Sequence, residues 1–530
     1  MDLADLIEGL SSPAAYPYPV REVETRHTHI SVVFLAGPHA YKIKKPVSLG
    51  FLDFGTLEKR RHFCAEEVRL NRRLAPSVYL GVVPVARAGA GVKLEAPGEV
   101  VEWAVKMERL PDETTLLDRL RRQQVDAGLM VALARKIAAF HAGAESGGHI
   151  SVFGQFDVVA GNARDNFEAA ARQRGVTLSR AVLERLQSLT DEALERLRPT
   201  IEGRARRGVP RDTHGDLHLD HVYLFPDRKP PDDLVIIDCI EFNDRFRHAD
   251  PVADMAFLVM DLLFQGRRDL ARAFTDAYFQ AAHDEEGRLL LPFYIAYRAA
   301  VRGKVEGIEL LEKEVPEAER RAALTRARAH WLLALGELER PGRRPCLLLV
   351  GGLPGAGKST LARGLAEHAG FTVIRSDVVR KELTSQSGET PGLHVLAEDL
   401  YTPEWNDRTY AECLRRAEEL LFEGKRVVVD ASFRHEDKRR LFLDAAARWT
   451  VPGHFVFCRA DPEASRLRLA ARRDDVSDAD WKVHAQLAAS WEEPGPLTRQ
   501  TQRIIDTSGT AAQTLARALE VLHELGLADS

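Results

Sequence analysis

At 530 residues the chain exceeds what one ordinary hydrophobic core can hold, and two to four domains are expected. A composition of 45% hydrophobic and 29% charged residues excludes a disordered chain, and a formal net charge of -5 excludes an overall basic field for gripping nucleic acid, a local groove aside. The five cysteines (Cys64, Cys239, Cys346, Cys413, Cys458) are scattered without C-x-x-C spacing, which argues for a reducing compartment and against a disulfide framework or a zinc site. The opening MDLADLIEGL lacks the basic start of a secretory signal. The most apolar helix-length stretch, VADMAFLVMDLLF, is short and carries Asp254 and Asp261. A cytoplasmic protein with no membrane span is expected.

In chain order, HISVVFL, HAYKIKK, YLGVVPVAR and VVEWAVKMERL alternate apolar and polar positions and read as strands. Between them TLEKRRHFCAEEVRLNRRL has helical spacing, so residues from about 22 to 109 predict a mostly antiparallel sheet carrying one helix. From 113 to about 335 the pattern is largely helical, broken by a polar stretch over 211–250. In its last part Tyr294, Arg298 and Arg302 recur at i, i+4 and i+8 and predict one helix stripe. A solvated or salt-bridged face is the ordinary reading of that stripe, and an anionic-substrate or interdomain contact the sharper one. Residues 336–345, with Pro341, Gly342 and Pro345, predict a linker. Beyond it LLLV, FTVIRSD, RVVVDASF, GHFVFCRA and RIIDTSG alternate with helical stretches, a βαβ series that implies a parallel sheet.

The turn after LLLV reads Gly352, Leu353, Pro354, Gly355, Ala356, Gly357, Lys358, Ser359, Thr360, a full G-x-x-x-x-G-K-S/T phosphate loop. Backbone N–H groups there can close around phosphate oxygens, Lys358 can reach the β- and γ-phosphates, and the Ser359 hydroxyl can ligate Mg²⁺. A chance glycine-rich turn is the plain alternative; the strand before it and the helical STLARGLAEHA after it weigh against that. At the end of the next strand, Asp377 is placed to activate an acceptor hydroxyl, with Arg380 steadying an anionic acceptor; the plainer reading, set second, is that Ser376 or Asp377 caps the helix VVRKEL. Asp430, ending RVVV, takes the place of a carboxylate that orients Mg²⁺. The arginine-rich run after GHFVFCRA suggests a lid over the phosphates, with Arg472 and Arg473 preferred, Arg466 in reserve, and a solvated helix face as the bland reading.

In the polar stretch, RDTHGDLHLDHVYLF is followed by VIIDCIEFND and DPVADMA. His214, Asp216, His218, Asp220 and His221 could form a metal clump, as in a hydrolase. They could instead form a phosphotransfer loop, in which Asp216 takes the proton of a substrate hydroxyl and Asp238, ending LVII, holds Mg²⁺ on a triphosphate. Polar loop residues that merely satisfy backbone groups are the third reading.

HGDLH, IIDCIEF and DPVADMA resemble the catalytic loop and metal segment of aminoglycoside phosphotransferase-like kinases, over roughly residues 20–335. The resemblance implies an α+β, protein-kinase-like bilobal domain over 1–335, with a small lobe at about 20–108, a large lobe at about 112–335 and ATP between them. It implies that YKIKK carries the ATP-binding lysine, Lys42 before Lys44, that Glu67 pairs with it, and that the backbone near Met107 to Arg109 meets adenine. Each of these charges could also be a solvated surface group. One departure stands out. The family pattern places Asn, a metal ligand, where this chain has His221, and imidazole is a poor Mg²⁺ donor. Either other oxygens, such as those of Glu241 and Asn243, serve the metal, or the module is weak or degenerate. No G-x-G-x-x-G loop is present.

Residues 346–530 resemble P-loop kinases of the zeta toxin, polynucleotide kinase and gluconate kinase group, through GLPGAGKST, SDVVRKEL and VVVDASF. That likeness implies an α/β domain with a parallel sheet flanked by helices. The pairing of the two halves resembles bacterial two-module proteins described as kinases or ATP-binding proteins. The expected function is ATP- and Mg²⁺-dependent phosphoryl transfer to a hydroxyl of a small molecule such as a sugar, aminoglycoside or nucleoside. A polynucleotide 5′-hydroxyl acceptor for the second half, or an ATP-binding regulatory protein with one degenerate module, are the alternatives. No membrane partner is expected, and the sequence does not fix the oligomeric state.

Overall fold

In the computed structural model, which describes residues 1–50, 52–89, 91–230, 232–310, 316–386, 402–471 and 481–529, period-two patterning has become strands and mixed patterning helices. The residues sort into two compact units: Met1–Gly161, Leu197–Leu263 and Arg267–Tyr294 in the first, Asn162–Arg196, Phe264–Gly266 and Ile295–Ser530 in the second.

The first unit carries an antiparallel sheet in the spatial order Val23–His27, Ser31–Ala36, His39–Lys44, Val100–Glu108, Tyr79–Ala88, Gly91–Leu94. Lys42 pairs with Val33 on one side and Val105 on the other, so its strand is central and its position fixed from both flanks. The helix Leu57–Asn71 lies against this sheet. Thr56 caps it by accepting from the Lys59 N–H at 3.2 Å, and Cys64, Glu67, Val68 and Asn71 are buried. Asn71 fastens the helix to the segment beyond Asp238, its Oδ1 accepting from the Cys239 N–H at 2.8 Å. The polar stretch folds as two short antiparallel pairs, Arg211–Asp212 with His248–Ala249 and Val222–Leu224 with Leu234–Ile236. Below it runs the helix Pro251–Phe264, almost wholly buried.

In the second unit five strands lie parallel in the order Phe371–Arg375, Arg426–Asp430, Cys346–Gly351, Gly453–Arg459, Gln502–Asp506. The first strand in sequence is central and all six of its residues are buried, as a run of aliphatic residues covered on both faces must be. One face is filled by Leu361 and Leu365 of the helix Lys358–Ala369 and by Ala518 and Leu522 of Ala511–Glu524. On the other, Tyr410, Phe433 and Phe442 pack edge to face at 5.5 Å.

Within residues 336–345, expected as a linker, Glu339 and Gly342 are both hydrogen-bonded to distant residues. Glu339 accepts two hydrogen bonds from Arg185 at 2.8 and 3.0 Å, and Gly342 donates to Asp529 at 2.9 Å while its carbonyl accepts from Arg426. The helix Glu317–Leu338 meets the helix Pro403–Phe422 that flanks the parallel sheet, its Arg328 lying 4.8 Å over the Phe422 ring. The Tyr294, Arg298, Arg302 stripe is not a solvated face. Tyr294 and Arg298 are buried, and Arg302 lies 3.8 Å from Glu306. All five cysteines are buried and free. Among the described residues no helix is long and apolar enough to cross a membrane.

Candidate functional site

The parallel sheet ends its central strand in the phosphate loop, and ligands of such sheets bind at the carboxyl edge. The loop requires glycine where the backbone crowds. Gly352 has φ +142°, and a Cβ there would stand 2.5 Å from the Cys458 carbonyl oxygen. Gly357 precedes the helix Lys358–Ala369, whose first N–H groups and positive dipole end face the loop. Lys358 Nζ donates to the Leu353 carbonyl at 3.0 Å. Gly355, Gly357, Lys358, Ser359 and Thr360 line a cavity of about 580 Å³.

Asp430 ends the neighbouring strand beside the Ser359 hydroxyl. Burial pushes its carboxyl above the ordinary range, while Lys358, the Ser359 hydroxyl and Arg375 act in the opposite direction. The Ser359 hydroxyl and the Asp430 carboxylate are hard oxygen donors, and a buried carboxylate with too little positive charge around it suits Mg²⁺. Asp377 lies in the first turn of the helix Ser376–Gln386, with Arg380 3.3 Å from its Oδ1; Arg380 also donates to Asn406 at 3.1 Å. Arg472 and Arg473 lie outside the described residues. Arg466 is exposed and does not line the cavity.

Four residues that sequence reasoning passed over complete this site. Arg375 lines the cavity and stands 3.5 Å from Asp430. Arg468 lines it too, and its Nη2 donates to the Thr507 and Gly509 carbonyls at 2.6 and 3.0 Å. Thr507 Oγ1 donates to the Ala356 carbonyl and His484 Nδ1 to the Pro354 carbonyl, each at 2.8 Å, so both hold the phosphate loop from outside. Arg468 shares its helix with Arg466 at i+2, and only the helix phase separates the two.

In the first unit the residues singled out by sequence converge. Lys42 Nζ lies 2.6 Å from Asp238 Oδ1 and 2.9 Å from Glu67 Oε1. Lys44 takes Glu67 Oε2 at 2.7 Å and also bonds Glu241, completely shielded from solvent. Lys42 and Lys44 thus share a strand face and a glutamate, yet only Lys42 reaches Asp238. Glu67 is held below the ordinary carboxylate range: burial opposes this, and the two ammonium groups outweigh it. Glu241 is engaged by Lys44 and is not a free metal ligand. Asp238 sits at φ +65°, its N–H donating to Tyr79 Oη at 3.1 Å; burial works against its charge, but Lys42 and His221 bring its carboxyl to about 2. The Glu108 and Arg109 N–H groups, expected near adenine, donate to the Val78 and Pro38 carbonyls at 2.9 Å each, because the strand pairing continues through them.

The loop His214–His221 is shaped by side chains from below. Asp254, fully buried, accepts from the His214 and Gly215 N–H groups at 3.1 and 2.8 Å and meets His141 Nε2 at 3.0 Å. One turn-pair further along the same helix, Asp261 accepts from the Leu219 N–H at 3.0 Å and faces His218 Nδ1 at 3.3 Å. His218 Nε2 lies 2.7 Å from Asp216 Oδ1. Burial resists its charge, but the two carboxylates raise His218 to about 10, so it is an imidazolium clamped between them. His214 is the reverse: burial lowers it to about 4, and the neutral ring donates from Nε2 to the Ile237 carbonyl and accepts the Asp216 N–H on Nδ1. Asp254 and Asp261 were legible only as two acids, seven apart, in an otherwise apolar helix.

Residues 347–494 match the family model of an AAA domain. Over 506 residues the chain is 34% identical to the uncharacterized protein Rv2004c of Mycobacterium tuberculosis H37Rv and, equally, to the uncharacterized protein Mb2027c of Mycobacterium bovis; the match covers 94% of this chain and 95% of each relative. Among solved structures, a gluconokinase from Sinorhizobium meliloti aligns with 36% of this chain and 95% of its own (19% identity, TM-score 0.25). A choline/ethanolamine kinase family protein from Mesorhizobium loti aligns with 63% of this chain and 97% of its own (14% identity, TM-score 0.36). At these TM-scores neither likeness bears on function, which rests on the residues of the two sites.

Proposed function

The chain belongs to the family of these uncharacterized mycobacterial proteins, and from its two sites we propose that it is an ATP- and Mg²⁺-dependent phosphotransferase with two nucleotide-binding modules. The first is an aminoglycoside-phosphotransferase-like, protein-kinase-like module within residues 1–335, and the second a P-loop kinase within 346–530. The observation that carries the reading is the phosphate loop at the sheet's carboxyl edge, where Lys358 and Ser359 line the cavity and act on the Asp430 carboxylate, with Asp377 in the first turn of the helix that follows the outer strand.

In the second module the loop N–H groups and Lys358 hold the phosphates, and Arg375 and Arg468 add positive charge along the same cavity. Asp377 accepts the proton of the acceptor hydroxyl as its oxygen bonds to the γ-phosphorus; the bond from that phosphorus to the bridging oxygen breaks, leaving ADP. Arg380 orients Asp377. In the first module Lys42, braced by Glu67, holds phosphates, Asp216 is the base, and His218 fixes its orientation. A divalent metal ion, when bound, would neutralise charge on the phosphate oxygens; Ser359 and Asp430 would hold Mg²⁺ in the second module, and Asp238 and His221 would hold the dication of the first. The acceptor is a hydroxyl-bearing small molecule, in keeping with a net charge of -5.

The test is acceptor-dependent ADP formation across sugars, aminoglycosides, nucleosides and 5′-hydroxyl oligonucleotides, with Lys358→Ala and Asp216→Ala variants. Each variant is expected to abolish the activity of its own module. If neither lowers ADP formation, the two-site reading is wrong. A second reading, an ATP-binding regulatory protein with one degenerate module, is favoured by His221 in place of Asn; ATP binding without any phosphorylated product would support it.

A further inference from the structure

His221 replaces the amide expected at a metal position, and its surroundings decide which ring nitrogen is free. Nδ1 lies 2.8 Å from the Asp216 backbone carbonyl oxygen. A carbonyl only accepts, so Nδ1 is the nitrogen that carries the proton there, and Nε2 is the nitrogen whose lone pair can be offered to a metal. Nε2 faces Asp238 Oδ2 across 3.9 Å, beyond hydrogen-bond distance. Asp238 has its other oxygen, Oδ1, on Lys42 at 2.6 Å, which leaves Oδ2 for this gap. Two acceptors thus face one another, one nitrogen and one oxygen, on a ring that is 18% exposed.

The neighbouring groups do not compete for this role. His218, Asp220 and Asp261 bring ligand atoms within 4.8 Å of one another, but both His218 nitrogens are already on carboxylates. His214 has its nitrogens on the Ile237 carbonyl and the Asp216 N–H. Glu241 is taken by Lys44. An all-oxygen donor set suits Mg²⁺, whereas an imidazole nitrogen beside a carboxylate suits Mn²⁺, Co²⁺ or Zn²⁺. A carbonyl holding the far N–H of a ligating histidine fixes its tautomer and raises its basicity, and that is the arrangement around His221.

We infer that the first module, unlike the second, selects a borderline transition-metal dication over Mg²⁺, ligated by His221 Nε2 and Asp238 Oδ2. This rests on the reading of that module as a nucleotide site. The full chain carrying Ser359→Ala and Asp430→Asn, to remove the metal donors of the phosphate loop, is titrated with Mn²⁺ and with Mg²⁺ in the presence of a non-hydrolysable ATP analogue. Bound Mn²⁺ is followed by electron paramagnetic resonance, and directly coordinated ¹⁴N by electron spin echo modulation. One Mn²⁺ with nitrogen modulation is expected. His221→Asn should remove the modulation and lower the Mn²⁺-to-Mg²⁺ affinity ratio by about tenfold or more. His221→Gln, read with circular dichroism, separates loss of the ligand from loss of the fold. Mn²⁺ bound without nitrogen modulation would overturn the inference and leave the nucleotide-site reading standing. No metal bound at all, with the fold intact, would overturn both.

Discussion

Lys358 and Asp216 are the residues whose loss should speak most directly. Lys358 is the one side chain of the phosphate loop that can place a positive charge on the β- and γ-phosphates, and Lys358→Ala is expected to lower kcat/KM of the second module by about 10²–10³-fold, read from steady-state ADP formation. His218 gives a prediction in pH. Its folded pKa, about 10, lies above its ordinary value, so the stability it contributes is fully present below about pH 6.5 and is lost as pH rises towards 10. The gap in urea midpoint between the wild type and His218→Gln should therefore shrink steadily from pH 6 to 10. A gap that stays constant would mean that no imidazolium is held there. Lys42 and Lys44 show where sequence stops at this scale. Two residues apart on one strand, they share a face by rule. Only the placement of Asp238 and Glu241, nearly 200 positions away, gives one lysine to Asp238 and buries the other against Glu241.

At the scale of elements, the helix Pro251–Phe264 organises the HGDLH loop through two carboxylates. Asp254→Ala would strand the buried His214 and Gly215 N–H groups at a cost of about 1–3 kcal/mol each, whereas Asp254→Asn keeps an acceptor and should cost clearly less; guanidinium unfolding separates the two. Gly215 belongs to the same device. With φ +84° and the Phe246 carbonyl 2.9 Å from a would-be Cβ, Gly215→Ala is expected to destabilise the unit by about 1–3 kcal/mol and to move Asp216. Strands such as Cys346–Gly351 and Arg426–Asp430 were readable because a run of aliphatic residues ending in glycine or aspartate is a local signal. The roles of Asp254 and Asp261 were not, since their loop partners lie 39 to 43 positions away and an acid in an apolar helix has many possible explanations. His484 and Thr507 escaped for the same reason: each touches the phosphate loop through a backbone oxygen 130 or more positions distant.

Across the whole molecule, the two-module reading predicts a stoichiometry. Isothermal titration with an ATP analogue should find two sites in the wild type, one in Lys358→Ala and one in Lys42→Ala. A single site that vanishes in Lys358→Ala would confine nucleotide binding to the phosphate loop. The net charge of -5 predicts an acceptor KM that hardly changes with salt, whereas a polynucleotide acceptor would impose a steep salt dependence.

By itself the sequence determined what depends on neighbours along the chain. It specified a mostly antiparallel first sheet, the parallel second one, a phosphate loop whose glycines, lysine and serine are adjacent, and acids at the ends of apolar strands. Tertiary structure alone decided the rest. It paired Lys42 with Asp238 and Lys44 with Glu241, set Arg468 rather than Arg466 in the cavity, and brought the helices of 162–196 and 317–338 to the second unit. It also fixed the His221 tautomer, through one carbonyl. Local periodicity is written in residues a few positions apart, while burial, charge pairing and ring orientation are set by whichever distant side chain the fold brings within 3 to 4 Å.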